Sequence, residues 1–308
     1  MISIVIPLYN KEKQIAHTLQ SVFNQTFQDY EIVIVNDGST DNSVEIVKQI
    51  KDSRIRLIEQ SNQGVSVARN TGIKEAKYDY VALLDADDEW KPTYLETQVD
   101  LINSFPKCSV YACGYEFKQR DTIKPLILKK MPFEGEKGIL DNYFEVASCS
   151  HPPLWTSAVV VQKEAFLSIR GFPVGIKSGE DLLTWARLAV KYKIAYSLKR
   201  EVYFVISSSE SYDSLPSRSP EYPDKVGEQL KKLSLEYPAI KEIRRYLALW
   251  HKMRASMFLL LNDRTNTIKE VFKSSKYNPF NYRVWSYIVV LLLPMSMRMK
   301  LFRRMGNI

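Results

Sequence analysis

The segment that decides the fold is Tyr80-Val81-Ala82-Leu83-Leu84-Asp85-Ala86-Asp87-Asp88. Its first five residues are apolar or aromatic and are bounded by polar residues, a pattern typical of a buried strand. Three carboxylates follow where this strand would leave a sheet. Clustered like charges repel and raise one another's affinity for protons. A divalent cation would relieve the repulsion, so residues 85–88, the acidic tetrad, predict a site for Mg²⁺ or Mn²⁺ that could in turn bind a diphosphate.

A second interpretation of the acidic tetrad needs no ligand. Asp is common at turns and helix starts, and a helix is expected from about Pro92. The tetrad could then be a solvated turn that leads into this helix. The four residues alone leave both interpretations open.

The remaining sequence up to about residue 205 indicates an α/β domain. Composition is ordinary for a globular protein, with 45% hydrophobic and 25% charged residues in 308. Short apolar runs alternate with amphipathic stretches, which predicts a mostly parallel sheet flanked by helices. The expected strands cover residues 3–7, 31–35, 55–58, 80–84, 109–113 and 155–161. The expected helices cover residues 11–24, 43–51, 65–76, 92–104, 163–169 and 180–191.

The last third of the chain differs in composition. Residues 207–220 are rich in Ser, Pro and charge, which predicts a linker between a first domain, 1–210, and a helical second region, 211–308. We expect helices over 239–261 and 265–275. Residues 221–308 carry 17 Lys and Arg against 7 Asp and Glu, so the whole basic excess lies there. A basic region of this kind suits nucleic acid or an anionic membrane.

The apolar segment 284–297 favours the membrane. It is followed by Arg298, Lys300, Arg303 and Arg304, and it is too short to span a bilayer. Apolar residues beside basic ones predict an interfacial helix on anionic lipid, with a buried core helix as the alternative.

Several protein classes are disfavoured by missing motifs. No G-x-G-x-x-G follows the first strand and no P-loop is present, which argues against Rossmann-type dinucleotide binding and P-loop nucleotidases. No nucleic-acid-binding module is recognisable in the basic region, so we expect no nucleic-acid partner. No signal peptide is visible, and three cysteines without metal-ligand spacing indicate reduced thiols in the cytoplasm.

Three further polar clusters follow apolar runs or open helices. Asp37 ends an apolar run and precedes Gly38, which permits a tight turn; a carboxylate there could accept the imide N–H of a uracil. Arg69, in the segment 64–72, could lie near a base or a phosphate, or could be a surface residue of an amphipathic helix. Glu180 and Asp181 open a predicted helix, where the helix dipole alone would favour acidic residues.

Four motifs together resemble glycosyltransferase family 2, the inverting nucleotide-sugar transferases of the Rossmann-like GT-A fold. They occur in the family's order within residues 1 to about 200. The matching segments are Val5-Ile6-Pro7-Leu8-Tyr9-Asn10, Asn36-Asp37-Gly38-Ser39-Thr40-Asp41, Ala68-Arg69-Asn70-x-Gly72 and Leu84-Asp85-Ala86-Asp87-Asp88.

The resemblance implies a donor site and a metal site at the strand ends. The donor would be a nucleotide-diphosphate sugar, a UDP-hexose or UDP-N-acetylhexosamine, held with Mg²⁺ or Mn²⁺. Asp87 would ligate the metal, and Asp88 would be a second ligand or a helix cap. The resemblance also implies a general base, for which we expect Asp181, with Glu180 as the alternative. The residues expected to bind the donor are Pro7, Tyr9, Asn10, Asp37, Arg69, Asp85 and Ala86.

The chain departs from the family in one place. Many members carry a His or Arg near the diphosphate after the acidic pair, and residues 203–209 contain neither. A Ser hydroxyl, Arg218, the Lys199-Arg200 pair or water would have to complete the phosphate contacts.

The expected function is transfer of a sugar to a hydroxyl of a glycan or lipid-linked glycan, on the cytoplasmic face of the membrane. The alternatives are a sugar-phosphate nucleotidyltransferase and a non-catalytic scaffold. A sugar-phosphate nucleotidyltransferase would need a Gly-rich, Arg-containing loop after the first strand, which residues 8–12 do not provide. A non-catalytic scaffold that binds a sugar nucleotide remains an alternative.

Overall fold

The computed structural model describes residues 1–206, 219–295, 297–298 and 301 of the 308-residue chain. The chain divides into two compact units, Met1–Ser208 and Ser209–Ile308. The first unit contains the acidic tetrad and the residues expected to act as the general base, to bind the donor or to ligate the metal. The second unit contains the basic, helical region.

One ten-stranded sheet organises the described part of the first unit. Its strands run in the order β3-β2-β1-β4-β9-β6-β10-β5, with β7 beside β6 and β8 beside β10. Pairing is parallel from β3 through β4 and between β6 and β10, and it is antiparallel on both sides of β9. The strands are β1 (Ile2–Leu8), β2 (Tyr30–Asp37), β3 (Ile55–Gln60), β4 (Tyr80–Leu83), β5 (Glu89–Trp90), β6 (Val110–Gln119), β7 (Thr122–Pro125), β8 (Lys137–Ile139), β9 (Val159–Gln162) and β10 (Ile194–Val205).

Helices cover the parallel part of the sheet, because its strands are apolar on both faces. All eight residues of β2 are buried, as a central parallel strand requires. Four buried residues of α1, Ile15, Thr18, Leu19 and Val22, recur at helical spacing and form its buried face. The helices of this unit are α1 (Ile15–Phe23), α2 (Ser43–Gln49), α3 (Val65–Glu75), α4 (Tyr94–Ser104), α5 (Tyr143–Cys149), α6 (Lys163–Ser168) and α7 (Glu180–Ala189).

The α/β class predicted from the sequence is confirmed, but several elements differ from expectation, since β5, β7, β8, β10 and α5 were not among the predicted ones. The expected strand over 155–161 begins only at Val159, because a 3-10 turn, Thr156–Ala158, precedes it. Strand β10 was not predicted because Lys199-Arg200-Glu201 interrupts its apolar pattern. At that point the pairing of β10 with β6 shifts register, so the charged residues occupy an irregular stretch of the strand.

The second unit is helical in its described residues. It consists of α8 (Lys225–Glu236), α9 (Glu242–Leu260), α10 (Arg264–Tyr277), a 3-10 turn (Tyr282–Trp285) and α11 (Ser286–Val290). Asp224 and Asp263 cap α8 and α10 by accepting hydrogen bonds from the backbone N–H groups of Gly227 and Asn266, at 2.9 and 3.0 Å. These caps fix where two of the helices begin.

The expected single helix over 284–297 is not observed. Helix α11 ends at Val290, and its inner side joins the core of the second unit through Val284, Tyr287, Val290 and Leu291. The segment is therefore partly a core element, and only its outer side is exposed. No helix in the described part of the chain combines the length and the hydropathy needed to cross a bilayer.

A buried charged network lies inside the second unit. His251 Nδ1 is 2.7 Å from Glu270 Oε2, and Arg254 Nε lies 3.4 Å from Asp224 and 3.3 Å from Glu270. Ligand atoms of Asp224, His251 and Glu270 all lie within 4.8 Å of one another, a spacing that a metal ion would accept. Arg254 and the nearby Lys273 already balance the two carboxylates, so we interpret the cluster as structural.

Candidate active site

The carboxyl ends of three neighbouring parallel strands bring the sequence motifs to one edge of the sheet. Leu8 at the end of β1 is paired with Asn36 near the end of β2, and Val5 of β1 is paired with Leu83 of β4. The loops that follow β1, β2 and β4 therefore lie side by side. This edge is where open α/β sheets bind ligands.

The loops after β1 and β2 are joined by hydrogen bonds. Asn10, whose φ of 51° is left-handed, accepts a hydrogen bond from the N–H of Thr40 and donates its own N–H to the Ser39 hydroxyl. Tyr9 beside it is 45% exposed, whereas Pro7 is half-buried at the end of β1. Tyr9 thus presents an uncovered ring at the strand edge, and Asn10 fixes the turn beneath it.

Asp37 is buried and holds the loop that leads into α3. Its Oδ1 accepts hydrogen bonds from Gln60 Nε2 at 2.7 Å and from the N–H of Gln63 at 2.9 Å, and its Oδ2 accepts one from the N–H of Gly64 at 2.8 Å. A carboxylate offers about four lone-pair directions, so one on Oδ2 is left. Asp37 thus has a structural role whether or not it also contacts a ligand.

The turn of the acidic tetrad is fixed by groups that the sequence did not nominate. The Thr18 hydroxyl of α1 lies 3.0 Å from the carbonyl oxygen of Ala86 and 2.9 Å from that of Asp88. The Ser157 hydroxyl accepts the N–H of Asp85 at 3.1 Å and donates to Asp88 at 2.5 Å. Ala86 is buried, so only the flanking side chains can point outward.

Asp88 points into the protein. It is 1% exposed and accepts hydrogen bonds from Ser157, from Trp155 Nε1 at 3.2 Å and from the N–H of Val205 at 3.1 Å. Burial raises the pKa of Asp88 well above its usual value, and the charges of Asp85 and Asp87 add to this effect. Through its hydrogen bond from Val205, the Asp88 carboxylate connects the tetrad to the end of β10.

Asp87 points towards solvent. Its side chain is 35% exposed, and Lys11 Nζ, from the loop after β1, lies 2.5 Å from its Oδ2. A carboxylate in this position attracts positive charge, which here is supplied by an equally exposed lysine. Of the three acidic side chains in the tetrad, Asp87 is the most accessible.

Arg69 connects the tetrad to the second acidic motif. Its Nη2 lies 2.8 and 3.1 Å from the two carboxylate oxygens of Asp85, and its Nη1 lies 3.2 Å from Oε1 of Glu180. The guanidinium is buried and lies 5.0 Å from the ring centre of Phe172. Asp85 and Glu180, which are far apart in the sequence, thus share one cation.

Asp181, the next residue of α7, has an unusual pKa. Burial, followed by the charge of Glu180, raises the pKa of Asp181 to about 6. The N–H of Leu182 donates to its Oδ1 at 2.7 Å, and Arg69 opposes the rise. A carboxylate with such a pKa is suited to accept a proton near neutral pH.

The segment Ala68-Arg69-Asn70-x-Gly72 owes part of its composition to packing. Asn70 donates to the carbonyl oxygen of Phe172 at 2.8 Å and accepts the N–H of Phe172 at 2.7 Å, which clamps the chain before α7. A Cβ on Gly72 would lie 2.3 Å from Val5 Cγ1, so α3 approaches β1 only because this residue is glycine. In the structure Arg69 binds Asp85 and Glu180, and Asn70 positions the segment before α7; the expected contact of Arg69 with the donor stays a prediction.

An aromatic cluster adjoins Asp88. Trp155 lies 4.3 Å from Phe204 and 5.5 Å from Tyr115 between ring centres, and Phe117 contacts both Phe204 and His151. Trp155 and Phe204 are half-buried.

The sequence offers several groups that could complete the contacts with the diphosphate. Residues 207–218, including Arg218, lie outside the described part of the chain. Lys199 is ion-paired with Glu136 at 3.3 Å.

Comparison with known proteins identifies the first unit. The family model described as "Glycosyl transferase family 2" matches residues 3–156, which is 154 of 308 residues. Similar curated proteins include an uncharacterised glycosyltransferase, YibD, of Escherichia coli K12, 50% identical over 98 residues. They also include the glycosyltransferase GlyA of Streptococcus pneumoniae serotype 4, 46% identical over 122 residues. These alignments cover 31% and 39% of this chain but only 28% and 18% of the relatives, well under a third of their lengths.

Solved structures share the fold. Residues 1–349 of TarS from S. aureus, in complex with UDP-GlcNAc, match with a TM-score of 0.70 at 18% identity, over 99% of this chain and 92% of that one. The mannosyltransferase PcManGT from Pyrobaculum calidifontis, in complex with GDP-Man and Mn²⁺, matches with a TM-score of 0.56 at 16% identity, over 97% and 84%. The expected GT-A type of fold is confirmed. Because the family model covers half of the chain and the fold agrees with it, the protein belongs to glycosyl transferase family 2.

Proposed function

We propose that this glycosyltransferase moves a sugar from a nucleotide diphosphate to an acceptor hydroxyl in a single displacement that inverts the anomeric carbon. The observation that carries the proposal is the Arg69 bridge, which links Asp85 of the tetrad to Glu180 beside Asp181. An acidic group at the strand ends and a proton acceptor are thereby held in one site. A single displacement needs both, and it needs no covalent intermediate.

We propose UDP as the nucleotide of the donor, carrying a hexose or an N-acetylhexosamine. Two structural neighbours from S. aureus were solved with UDP-GlcNAc and with UDP, whereas the neighbour from Pyrobaculum calidifontis was solved with GDP-Man. In this chain the exposed ring of Tyr9 and the remaining lone pair of Asp37 suit a flat base with an imide N–H. Pro7 and Asn10 shape the turn below them.

A divalent metal fits the donor set at the tetrad. Asp87 offers an accessible carboxylate oxygen, and its ion pair with Lys11 indicates that the position favours a cation. Mg²⁺ and Mn²⁺ prefer such hard oxygen ligands, and phosphate and water supply their remaining ligands. When bound, either metal would offset the negative charge of the diphosphate. We assign Asp87 as the protein ligand, because the acceptor sites of Asp88 are largely occupied by internal donors.

We propose Asp181 as the general base and Glu180 as its partner. Glu180 is ion-paired with Arg69, whose Nη1 lies 3.2 Å from its Oε1, so this carboxylate is already engaged by a cation. Asp181 has a pKa raised to about 6, by burial first and then by Glu180. Its carboxylate would remove the proton from the acceptor hydroxyl as that oxygen attacks the sugar, while Arg69 holds Asp85 and Glu180 in place.

For the acceptor we propose a glycan or a lipid-linked glycan on the cytoplasmic face of a membrane. The half-buried aromatic cluster of Trp155 and Phe204 lies next to the tetrad and offers rings on which a sugar could stack. The basic excess of residues 221–308 is compatible with an anionic surface.

A donor screen tests this proposal. We expect UDP with Mn²⁺ to raise the melting temperature, since a ligand at about 100 times its dissociation constant stabilises a protein by about 2.7 kcal/mol. Candidate UDP-sugars are then incubated with the protein and released UDP is measured. Stabilisation without UDP release from any of the donors would support the non-catalytic scaffold, and no stabilisation by any nucleotide would contradict a donor site.

A further inference from the structure

An exposed apolar ridge runs across the second unit. On α10, Ile268 and Phe272 are four residues apart and are 38% and 56% exposed. Phe272 contacts Trp285 edge to face, with 5.3 Å between ring centres. The ridge continues with Trp285 at the end of the 3-10 turn, Val289 in α11 and Leu292 just after the end of α11, all of them exposed.

The ridge is the outer side of a segment whose inner side is buried. Val289 is 64% and Leu292 is 83% exposed, whereas their neighbours Val290 and Leu291 belong to the core. Tyr282 lies three residues before Trp285 in the same 3-10 turn and is 75% exposed. Large apolar side chains exposed in a continuous row mark a surface that meets a partner.

The charges around the ridge are of one sign. Residues 262–298 contain six Lys and Arg against two acidic residues. Asp263 caps α10 and Glu270 is buried in the charged network, so neither balances the surface. Arg264, Lys269, Lys276 and Arg283 are exposed and form no ion pair with another described residue.

We propose that this ridge docks the protein on the surface of an anionic lipid bilayer. Aromatic and aliphatic side chains would enter the boundary between headgroups and acyl chains, and the unpaired cations would meet acidic headgroups. Tyr282 and Trp285 have the amphipathic rings that prefer this depth. The inference deepens the proposed membrane location, but it stands on the ridge itself and does not depend on the transferase chemistry.

The test is binding of the full-length chain to vesicles of phosphatidylglycerol and phosphatidylcholine, measured by co-sedimentation. The variant Val289→Glu/Leu292→Glu should bind mixed vesicles at least ten times more weakly, since burying each of these side chains contributes roughly a factor of ten or more in affinity. The matched control is Leu235→Glu on α8, a 72% exposed leucine outside the ridge, which should bind within about twofold of the parent protein.

Four results would overturn the inference. The ridge variant could bind like the parent protein, or the Leu235→Glu control could lose binding equally. Binding to pure phosphatidylcholine vesicles as tight as to the anionic ones would remove the role of charge. If the ridge instead joins two copies of this chain, the parent protein would sediment as a dimer without lipid and the ridge variant as a monomer, and neither would bind vesicles.

A parallel assay separates this inference from the proposed reaction. UDP release from a donor sugar in the absence of lipid should be the same for the parent protein and for Val289→Glu/Leu292→Glu, because the ridge lies outside the unit that holds the acidic groups. Loss of vesicle binding with unchanged UDP release supports the ridge. If the parent protein released no UDP from any donor sugar in the presence of soluble glycan acceptors, that would count against the transferase proposal and leave the vesicle result valid.

Discussion

At the scale of single residues, the three aspartates of the tetrad have different environments although they differ by only one to three positions. Asp88 is buried among donors from Ser157, Trp155 and β10, whereas Asp87 is accessible and Asp85 is held by Arg69. Sequence alone could not separate them, because the donors of Asp88 come from residues 155–205. The distinction can be measured with two alanine variants.

Asp88→Ala should destabilise the fold, whereas Asp87→Ala should not. Removing the Asp88 carboxylate leaves up to three buried donors unpaired, which should lower the free energy of unfolding by about 3 kcal/mol or more. Asp87→Ala removes only a part-exposed ion pair and should cost less than about 1 kcal/mol, while Mn²⁺-dependent UDP binding is lost. Urea denaturation and calorimetry measure the two quantities. The reverse pattern, with Asp88→Ala losing metal-dependent binding and keeping stability, would transfer the ligand role to Asp88.

The pH dependence of the reaction tests the pairing of Glu180 with Asp181. The base must be deprotonated, so kcat/KM should fall as the pH drops below about 6, the pKa of Asp181. Glu180→Gln removes the charge that contributes to this raised pKa, and the acid limb should move to lower pH. An acid limb that stays at its original pH would mean that Glu180 does not act on Asp181. Complete loss of turnover would instead indicate that Glu180 is the base.

At the scale of elements, the approach of α3 to the sheet depends on a single glycine. The Gly72 position leaves no room for a methyl group beside Val5 and Val35. Alanine has the higher helix propensity by roughly 1 kcal/mol, but overpacking a core costs about 1–3 kcal/mol. The destabilisation by overpacking should exceed the gain in helix propensity, because Val5 is fully buried in β1.

Gly72→Ala is therefore expected to lower the free energy of unfolding, measured by urea denaturation. Lys74→Ala, at an exposed position of the same helix, serves as the control and should have little effect. If the cause is the contact with Val5, the double variant Gly72→Ala/Val5→Ala should be more stable than the two single effects predict when added. Strict additivity would contradict the proposed steric cause.

The elements also indicate where sequence analysis succeeds and fails. Strands such as β2 and β4 were predictable because their residues are apolar on both faces, and the motifs that follow them lie together because parallel strands end at one edge. The motif order was sufficient to indicate the family. Strand β10 was missed because charged residues interrupt it, and the 3-10 turn at Thr156–Ala158 was missed because the hydrogen bonds of Ser157 come from the distant tetrad. The partners of Arg69 were likewise invisible, since they depend on tertiary contacts.

At the scale of the whole molecule, each of the two units has buried charges of its own. In the second unit, burial would raise the pKa of Glu270, but hydrogen bonds from His251 and Lys273 and the charge of Arg254 lower it to about 2. A carboxyl whose pKa is lower in the folded state stabilises the protein above its unfolded pKa, and this contribution is lost as the pH falls. For Glu270 this stabilising contribution should be lost as the pH falls from about 4.5 to about 2.

Glu270→Gln should therefore destabilise the protein at pH 7 by up to about 3 kcal/mol, the equivalent of the pKa difference. The difference in the free energy of unfolding between variant and parent should become smaller as the pH is lowered towards 2. Urea denaturation followed by tryptophan fluorescence can measure it. Addition of EDTA should leave the stability of the parent protein unchanged, since Arg254 and Lys273 balance the carboxylates. A clear loss of stability with EDTA would show that the cluster of Asp224, His251 and Glu270 holds a metal after all.

Asp181→Asn tests whether Asp181 accepts the proton of the acceptor hydroxyl. UDP release in the presence of an acceptor is measured for this variant and for the parent protein, with UDP binding followed by calorimetry. A lost general base should reduce turnover by about 10²- to 10⁴-fold while UDP affinity stays the same. Turnover near the parent rate, with UDP binding intact, would contradict the assignment of Asp181 as the base.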